Sequence, residues 1–230
     1  MQKSTILVEL QEFMGNDRKI AESAWTSSFD KSKREQKTDA QVTDIVQRLA
    51  KDGHSTPFES VVFRFWIRMP IHTDRQFMTH RIQSASGLSG RYRTMPTDFY
   101  EIPPDVQEIL NKTDKGSLIY SDYQWLCQKT IESYNNAINH LKIAERTNII
   151  NNSEFKRARE IIRGQLPLSV FTERTSIMNL RSFANFQKLR GSKHAQPEIQ
   201  KVAKLMLDEV KKANICPIAI ESLEKKNWLL

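Results

Sequence analysis

Gln76-Phe77-Met78-Thr79-His80-Arg81-Ile82-Gln83-Ser84-Ala85-Ser86-Gly87-Leu88-Ser89-Gly90-Arg91-Tyr92 is the stretch on which the reading of this chain turns. It opens in a helical register and passes through four small residues, Ser84 to Gly87, into Ser89-Gly90-Arg91-Tyr92. Small residues let a backbone approach a ligand closely, and glycine tolerates the dihedrals of a tight turn, so a turn is expected here. Arg75, Arg81, Arg91 and Arg93 surround it with guanidinium forks, which grip carboxylates and phosphates through paired hydrogen bonds. These residues by themselves point to an anionic ligand such as a nucleotide phosphate. The plain alternative is a basic loop open to solvent.

Upstream of this stretch, Val61, Phe63, Phe65, Ile67 and Met69 alternate with Val62, Arg64, Trp66 and Arg68, which predicts a strand ended by Pro70. Two arginines on one face mean that this face is solvated or looks into a polar cavity. Before it, Thr38 with Gln41 forms a capping box for a helix carrying Val42, Ile45, Val46 and Leu49, with Gly53 as its C-cap. Thr5 to Leu10 reads as a short strand ended by Gly15-Asn16-Asp17. Asn16 or Asp17 then caps a helix bearing Ile20, Ala21, Ala24 and Trp25.

Downstream, Thr94 to Asp105 is proline-rich and irregular, with a short helix to follow. A long helix is expected over roughly 117–142, its seam formed by Tyr120, Tyr123, Cys127, Ile131, Tyr134, Ile138 and Leu141. Further helices are expected at 154–163, at 176–189 and from Pro197 to before Pro217, with Ile218 to Leu223 as a packed tail. The chain has no repeat, no linker and no alternating βαβ pattern. The expectation is a single α+β domain over 1–230, with a small antiparallel or mixed sheet packed against several long helices.

Composition narrows the function. The formal charge of +8 raises nucleic acid as a partner, but the cations are spread along the chain and no finger, RNA-binding strand or recognition-helix signature is present. Small polyanionic substrates explain a basic cleft equally well. Cys127 and Cys216 are far apart, giving no disulfide framework and no metal spacing, and neither has the local context of a thiolate nucleophile. No metal site is expected. Met1-Gln2-Lys3-Ser4 leads into an apolar run broken by Glu9, which is not a signal peptide, and no run is long enough to cross a bilayer; a cytoplasmic protein is expected. There is no dinucleotide fingerprint and no P-loop. A second cationic set comprises Arg163, Arg174, Arg181 and Arg190, with Arg181 and Asn185 on one helical face and Arg190 at that helix's end.

Taken in order, Met14-Gly15-Asn16-Asp17, Gly53-His54-Ser55-Thr56-Pro57-Phe58-Glu59, His80-Arg81, Ser84, Ser89-Gly90-Arg91-Tyr92, Arg181-Ser182, Asn185-Phe186, Leu189-Arg190 and His194-Ala195-Gln196 resemble the flavin-dependent thymidylate synthases. The resemblance implies reductive methylation of dUMP to dTMP, with methylenetetrahydrofolate as carbon donor, FAD as cofactor and NADPH as its reductant. It also implies a homotetramer with active sites between subunits. By position, Gln76, Ser89, Gly90, Arg91, Arg163 and Arg190 would bind the nucleotide, with Arg190 and Ser89 at the reacting pyrimidine. His54, Thr56, Glu59, His80, Arg81, Ile82, Asn179, Arg181 and Asn185 would serve the flavin. The chain departs from the family's signature at Thr79, Ser86 and Gly87, where the pattern has arginine, asparagine and glutamate. Two competing readings follow from those departures: a relative acting on another pyrimidine nucleotide, and a nucleic-acid-binding protein on the same scaffold.

Overall fold

The alternation read at 61–69 is realised in full. Phe63, Phe65, Ile67 and Met69 are completely buried, while Val62, Arg64, Trp66 and Arg68 on the opposite face are half-buried. In a computed structural model that describes residues 5–229, the order of elements is β1 (Leu7–Met14), α1 (Asp17–Trp25), α2 (Lys31–Glu35), α3 (Asp39–Asp52), β2 (Val62–Pro70), α4 (Ile71–Phe77), β3 (Ser84–Gly87), α5 (Pro104–Leu110), α6 (Gly116–Arg146), α7 (Asn152–Ile162), β4 (Phe171–Asn179), α8 (Leu180–Arg190), α9 (Pro197–Ala213) and α10 (Pro217–Lys225). The leader Met1-Gln2-Lys3-Ser4 and Leu230 lie outside the described residues.

Two compact units are formed. One comprises residues 69–74 and 87–172; the other comprises 6–68, 75–86 and 173–229. The four strands make one sheet in the order β1-β2-β4-β3. β1 and β2 are antiparallel, and Glu12 faces Arg64 across the register with Arg64 Nη1 donating to Glu12 Oε2 at 3.0 Å. Arg64 therefore stands on a solvated face, on which it has a cross-strand partner.

Capping residues set the helix starts. Asn16 accepts from the backbone of Lys19 to begin α1, and Thr38 and Gln41 close the expected capping box of α3. Gly53 ends α3 in the left-handed region, with φ of 76°, as a C-cap glycine should. Asp17 does something the sequence reading did not assign. Its carboxylate oxygens accept from Ile218 N at 3.1 Å and Ala219 N at 2.9 Å, capping the first turn of α10. Burial holds this carboxyl above its usual 3.8, although the two backbone N–H groups pull it down.

The structure corrects four expectations. Ser84 to Gly87 is the edge strand β3 rather than a turn, since small side chains do not prevent extended pairing at a sheet edge. Residues 176–179 end strand β4, and the helix starts only at Leu180 with Asn179 as its N-cap. The charged pair Glu173-Arg174 hid that strand: Arg174 is buried and lies over the Phe77 ring at 5.6 Å, so it occupies a position where an apolar residue would have shown the alternation. The first strand runs on to Met14, and the C-terminal tail is the helix α10.

The cap from Asp17 gives a direct stability test. Asp17→Ala is expected to lose about 1–2 kcal/mol, read as a lower midpoint of thermal unfolding. Asp17→Asn, which keeps one acceptor oxygen, is expected to fall between the two.

Candidate active site

Within the unit containing β1, the aromatic residues of α8 fix its position. Phe183 packs against Phe63 and Phe65 at ring-centroid distances of 5.4 and 5.9 Å. One turn on, Phe186 meets Phe77 and His80, both at 4.8 Å. This brings Arg190, at the C-terminal end of α8, against the segment after α4. Arg190 Nε donates to His80 Nε2 at 3.1 Å, and its Nη2 donates to Thr79 Oγ1 at 2.7 Å and to the Gln76 carbonyl at 3.3 Å.

His80 is thus an acceptor through Nε2, which requires a neutral ring protonated at Nδ1. Burial, and then the charge of Arg190, holds its pKa below the usual 6.5. The segment is pinned from below by Gln83. Its side-chain amide donates to the carbonyls of Phe77 and His80, and its Oε1 accepts from Ser176 of β4 at 2.5 Å. The Gln76 side chain is engaged by Gln196. The result is a fixed guanidinium with three protein acceptors, suited to stabilising negative charge on a ring placed beside it.

On the opposite side of α8, Arg181, Asn185 and Lys188 follow at helical spacing and line a cavity of about 350 Å³ with Ser55, Ile82, Ser182, Ala184 and Trp228. Arg181 Nη1 donates to Glu59 at 2.6 Å. A smaller cavity, of about 40 Å³, is lined by His80, Arg81 and Gln83 and shares Ile82, Ser182 and Asn185 with the larger one. His54 and Thr56 are exposed and do not line either cavity, though Ser55 between them does. Asn179 uses its side-chain oxygen to cap α8, accepting from Ser182 N at 2.8 Å.

The other unit holds a second cationic cluster. Ser89 starts a turn in which its carbonyl accepts from Tyr92 N and Arg93 N, both at 3.1 Å. Arg91 Nε donates to Glu160 at 2.6 Å; Arg157 first and Arg91 second hold that carboxyl below its usual range. Gly90 marks a close approach rather than an unusual dihedral angle: a Cβ there would lie 2.9 Å from Arg163 Cδ and 3.1 Å from Met95 Sδ, so those side chains would have to shift. Gly90, Arg91 and Arg163 are therefore neighbours, as their assignment to one ligand group requires. Arg159, buried on α7, donates to the Arg91 carbonyl and secures the turn.

Sequence reasoning missed Arg159, Lys188, Ser55 and Trp228. The spacing of Arg181, Asn185 and Lys188 carried a signal for Lys188. Nothing local marked Trp228.

These features belong to a known family. Residues 9–218 match the sequence model of the family described as thymidylate synthase complementing protein. The chain is 34% identical over 196 residues to the flavin-dependent thymidylate synthase of Thermotoga neapolitana, covering 85% of this chain and 81% of the relative. It is 30% identical over 220 residues to that of Treponema denticola, covering 95% and 79%. Among solved structures it is similar to the UMP/dUMP methylase PolB of Streptomyces cacaoi bound with 5-Br dUMP, with a TM-score of 0.73, 25% identity, and coverage of 98% of this chain and 97% of that one. The chain belongs to the flavin-dependent thymidylate synthase family.

The neutral state of His80 carries a pH signature. Because its folded pKa lies below the unfolded value, the stabilisation is present above pH 6.5 and is lost as pH falls through that value toward the folded pKa. Thermal unfolding followed from pH 7.5 to 5 is expected to show this decline, and His80→Gln is expected to flatten it relative to the unsubstituted protein.

Proposed function

We infer that the protein catalyses the reductive methylation of dUMP to dTMP with methylenetetrahydrofolate as carbon donor, FAD as cofactor and NADPH as reductant. Membership of the family over 9–218 carries this reading. The residue assignments rest on the geometry described above.

The donor set around the larger cavity fits FAD. Arg181 and Lys188 supply cations for its phosphates, and Ser55, Ser182 and Asn185 offer polar groups that hydrogen-bond a ribityl chain or base edge. Ile82, Ala184 and Trp228 give apolar walls for a ring. His80 and Arg81 extend this lining in the adjoining small cavity, and Glu59 holds Arg181 in place. His54, Thr56 and Asn179 keep the roles toward the flavin that the resemblance gives them. When bound, the flavin supplies hydride transfer; the protein positions rings and stabilises charge.

For the nucleotide, Arg91 and Arg163 grip the phosphate, where a planar fork outperforms lysine, and Gly90 lets the backbone of the turn come close. Gln76 and Ser89 orient the base. Arg190 polarises the pyrimidine and stabilises the electron-rich form of the ring from which C5 attacks the carbon donor, its charge being dispersed as the new bond forms. No thiolate is called for. Cys127 and Cys216 are both buried, and burial, then the neighbouring Asp17, pushes the Cys216 thiol up to about 12.

Self-association, which the homotetramer implied by the resemblance needs, is supported by an apolar face of α6. Its buried seam holds Cys127, Ile131, Tyr134 and Ile138, while Leu118, Ile119, Trp125 and Leu126 form a second apolar face between 47% and 57% exposed. We assign this face to self-association. No helix among the described residues is long and apolar enough to cross a membrane.

A second reading is favoured by the Streptomyces enzyme, a UMP/dUMP methylase that has also been solved with 5-Br UMP, and by Thr79, Ser86 and Gly87. It is that UMP is a substrate as well. Assays with dUMP, UMP and dCMP, each with methylenetetrahydrofolate and with or without NADPH, separate these readings. The expected result is dTMP formation from dUMP. No turnover of dUMP would overturn the leading reading, and turnover of UMP beside dUMP would establish the second.

Two sets of variants test the assignments. Arg190→Gln is expected to lower kcat about 10²–10³-fold, since it removes charge stabilisation realised in the transition state. Arg163→Gln is expected mainly to raise KM for the nucleotide. Trp125→Glu with Leu126→Glu is expected to reduce the assembly's mass in sedimentation analysis.

A further inference from the structure

Trp228 lies past residue 218, where the family match ends, yet its side chain lines the larger cavity beside Arg181, Asn185 and Lys188. Its place is set by a defined chain reversal. After α10 the backbone turns at Asn227, a left-handed residue with φ of 55°; Asn227 N donates to the Glu224 carbonyl at 2.8 Å, and Trp228 N donates to the Leu223 carbonyl at 2.9 Å. Leu229, 6% exposed, anchors the segment in the core. Burial of Leu229 is thus the structural contribution of this tail, whereas Trp228, half-buried, lines a cavity that also carries Arg181 and Lys188.

An indole that shares one cavity lining with two cations is complementary to one kind of ligand: a heteroaromatic ring carried on a phosphate. The ring stacks on the indole while the phosphate meets Arg181 and Lys188. We propose that Trp228 is a binding residue that stacks on a ring of FAD. This rests on the flavin reading above and adds to it a contact from outside the matched region.

The test is FAD titration of the full chain and of Trp228→Ala, Trp228→Leu and Trp228→Phe, followed by the flavin absorption spectrum and equilibrium dialysis. The alanine and leucine variants are expected to weaken FAD binding roughly five- to a hundredfold, the range for loss of a ring stacked on an aromatic side chain. Trp228→Phe is expected to stay within a few-fold of the unsubstituted protein. The leucine variant fills the volume without a π face, and an unfolding midpoint without FAD close to that of the unsubstituted protein separates stacking from simple loss of fold. Parallel titrations with ADP and FMN tell which ring sits on the indole, because that ligand's affinity falls with FAD's. If the unsubstituted protein binds FAD and the leucine variant binds it equally well, the assignment of Trp228 is overturned while the flavin reading stands. If the unsubstituted protein takes up no FAD, both fall.

Discussion

The contact on which the proposed chemistry depends is aromatic. Phe183 wedged against Phe63 and Phe65, and Phe186 against Phe77 and His80, fix both the rotation and the height of α8 relative to β2 and the end of α4. The five phenylalanine rings are fully or nearly fully buried, each removing enough apolar surface from water to be worth about 1.5–3 kcal/mol. Because the two phenylalanines lie on the buried side of α8, the opposite side is committed to Arg181, Asn185 and Lys188. The same rotation delivers Arg190 to His80, Thr79 and the Gln76 carbonyl. A cation held by three acceptors needs little reorganisation when charge appears beside it, so packing precision becomes electrostatic precision.

The departure from the family signature at Thr79 gains a physical sense from this arrangement. The hydroxyl accepts from Arg190 and donates to the Gln76 carbonyl at 2.7 Å, so it joins the segment and the guanidinium in one small network. An arginine at that position would bring a second cation toward Arg190, whereas threonine offers a neutral acceptor. Ser86 and Gly87 lie in an edge strand, where exposed small residues keep a narrow profile.

Much of the fold was legible because its signals are local. The capping box at Thr38 and Gln41, the Gly53 C-cap and the strict alternation from Val61 to Met69 each depend on neighbours a few residues apart. What stayed hidden depends on partners far along the chain. The buried Arg174 breaks the alternation of β4 because its compensation, the Phe77 ring, is distant in sequence. For the candidate site, the family's motif located Arg190, Arg181 and Asn185. The motif could not reveal that His80 must be neutral, that Arg159 holds the Ser89–Tyr92 turn, or that Trp228 lines a cavity with residues of α8. Those are consequences of burial and chain reversal, which single-residue identity does not encode.

The carboxylate of Asp17 on the first turn of α10 links positions 201 and 202 residues apart. Closing so long a loop carries an entropic penalty that neighbouring contacts must offset before the link can form. α10 is also the helix whose end directs Trp228. One carboxylate near the start of the described residues therefore steadies, through α10, a wall of the cavity near their end.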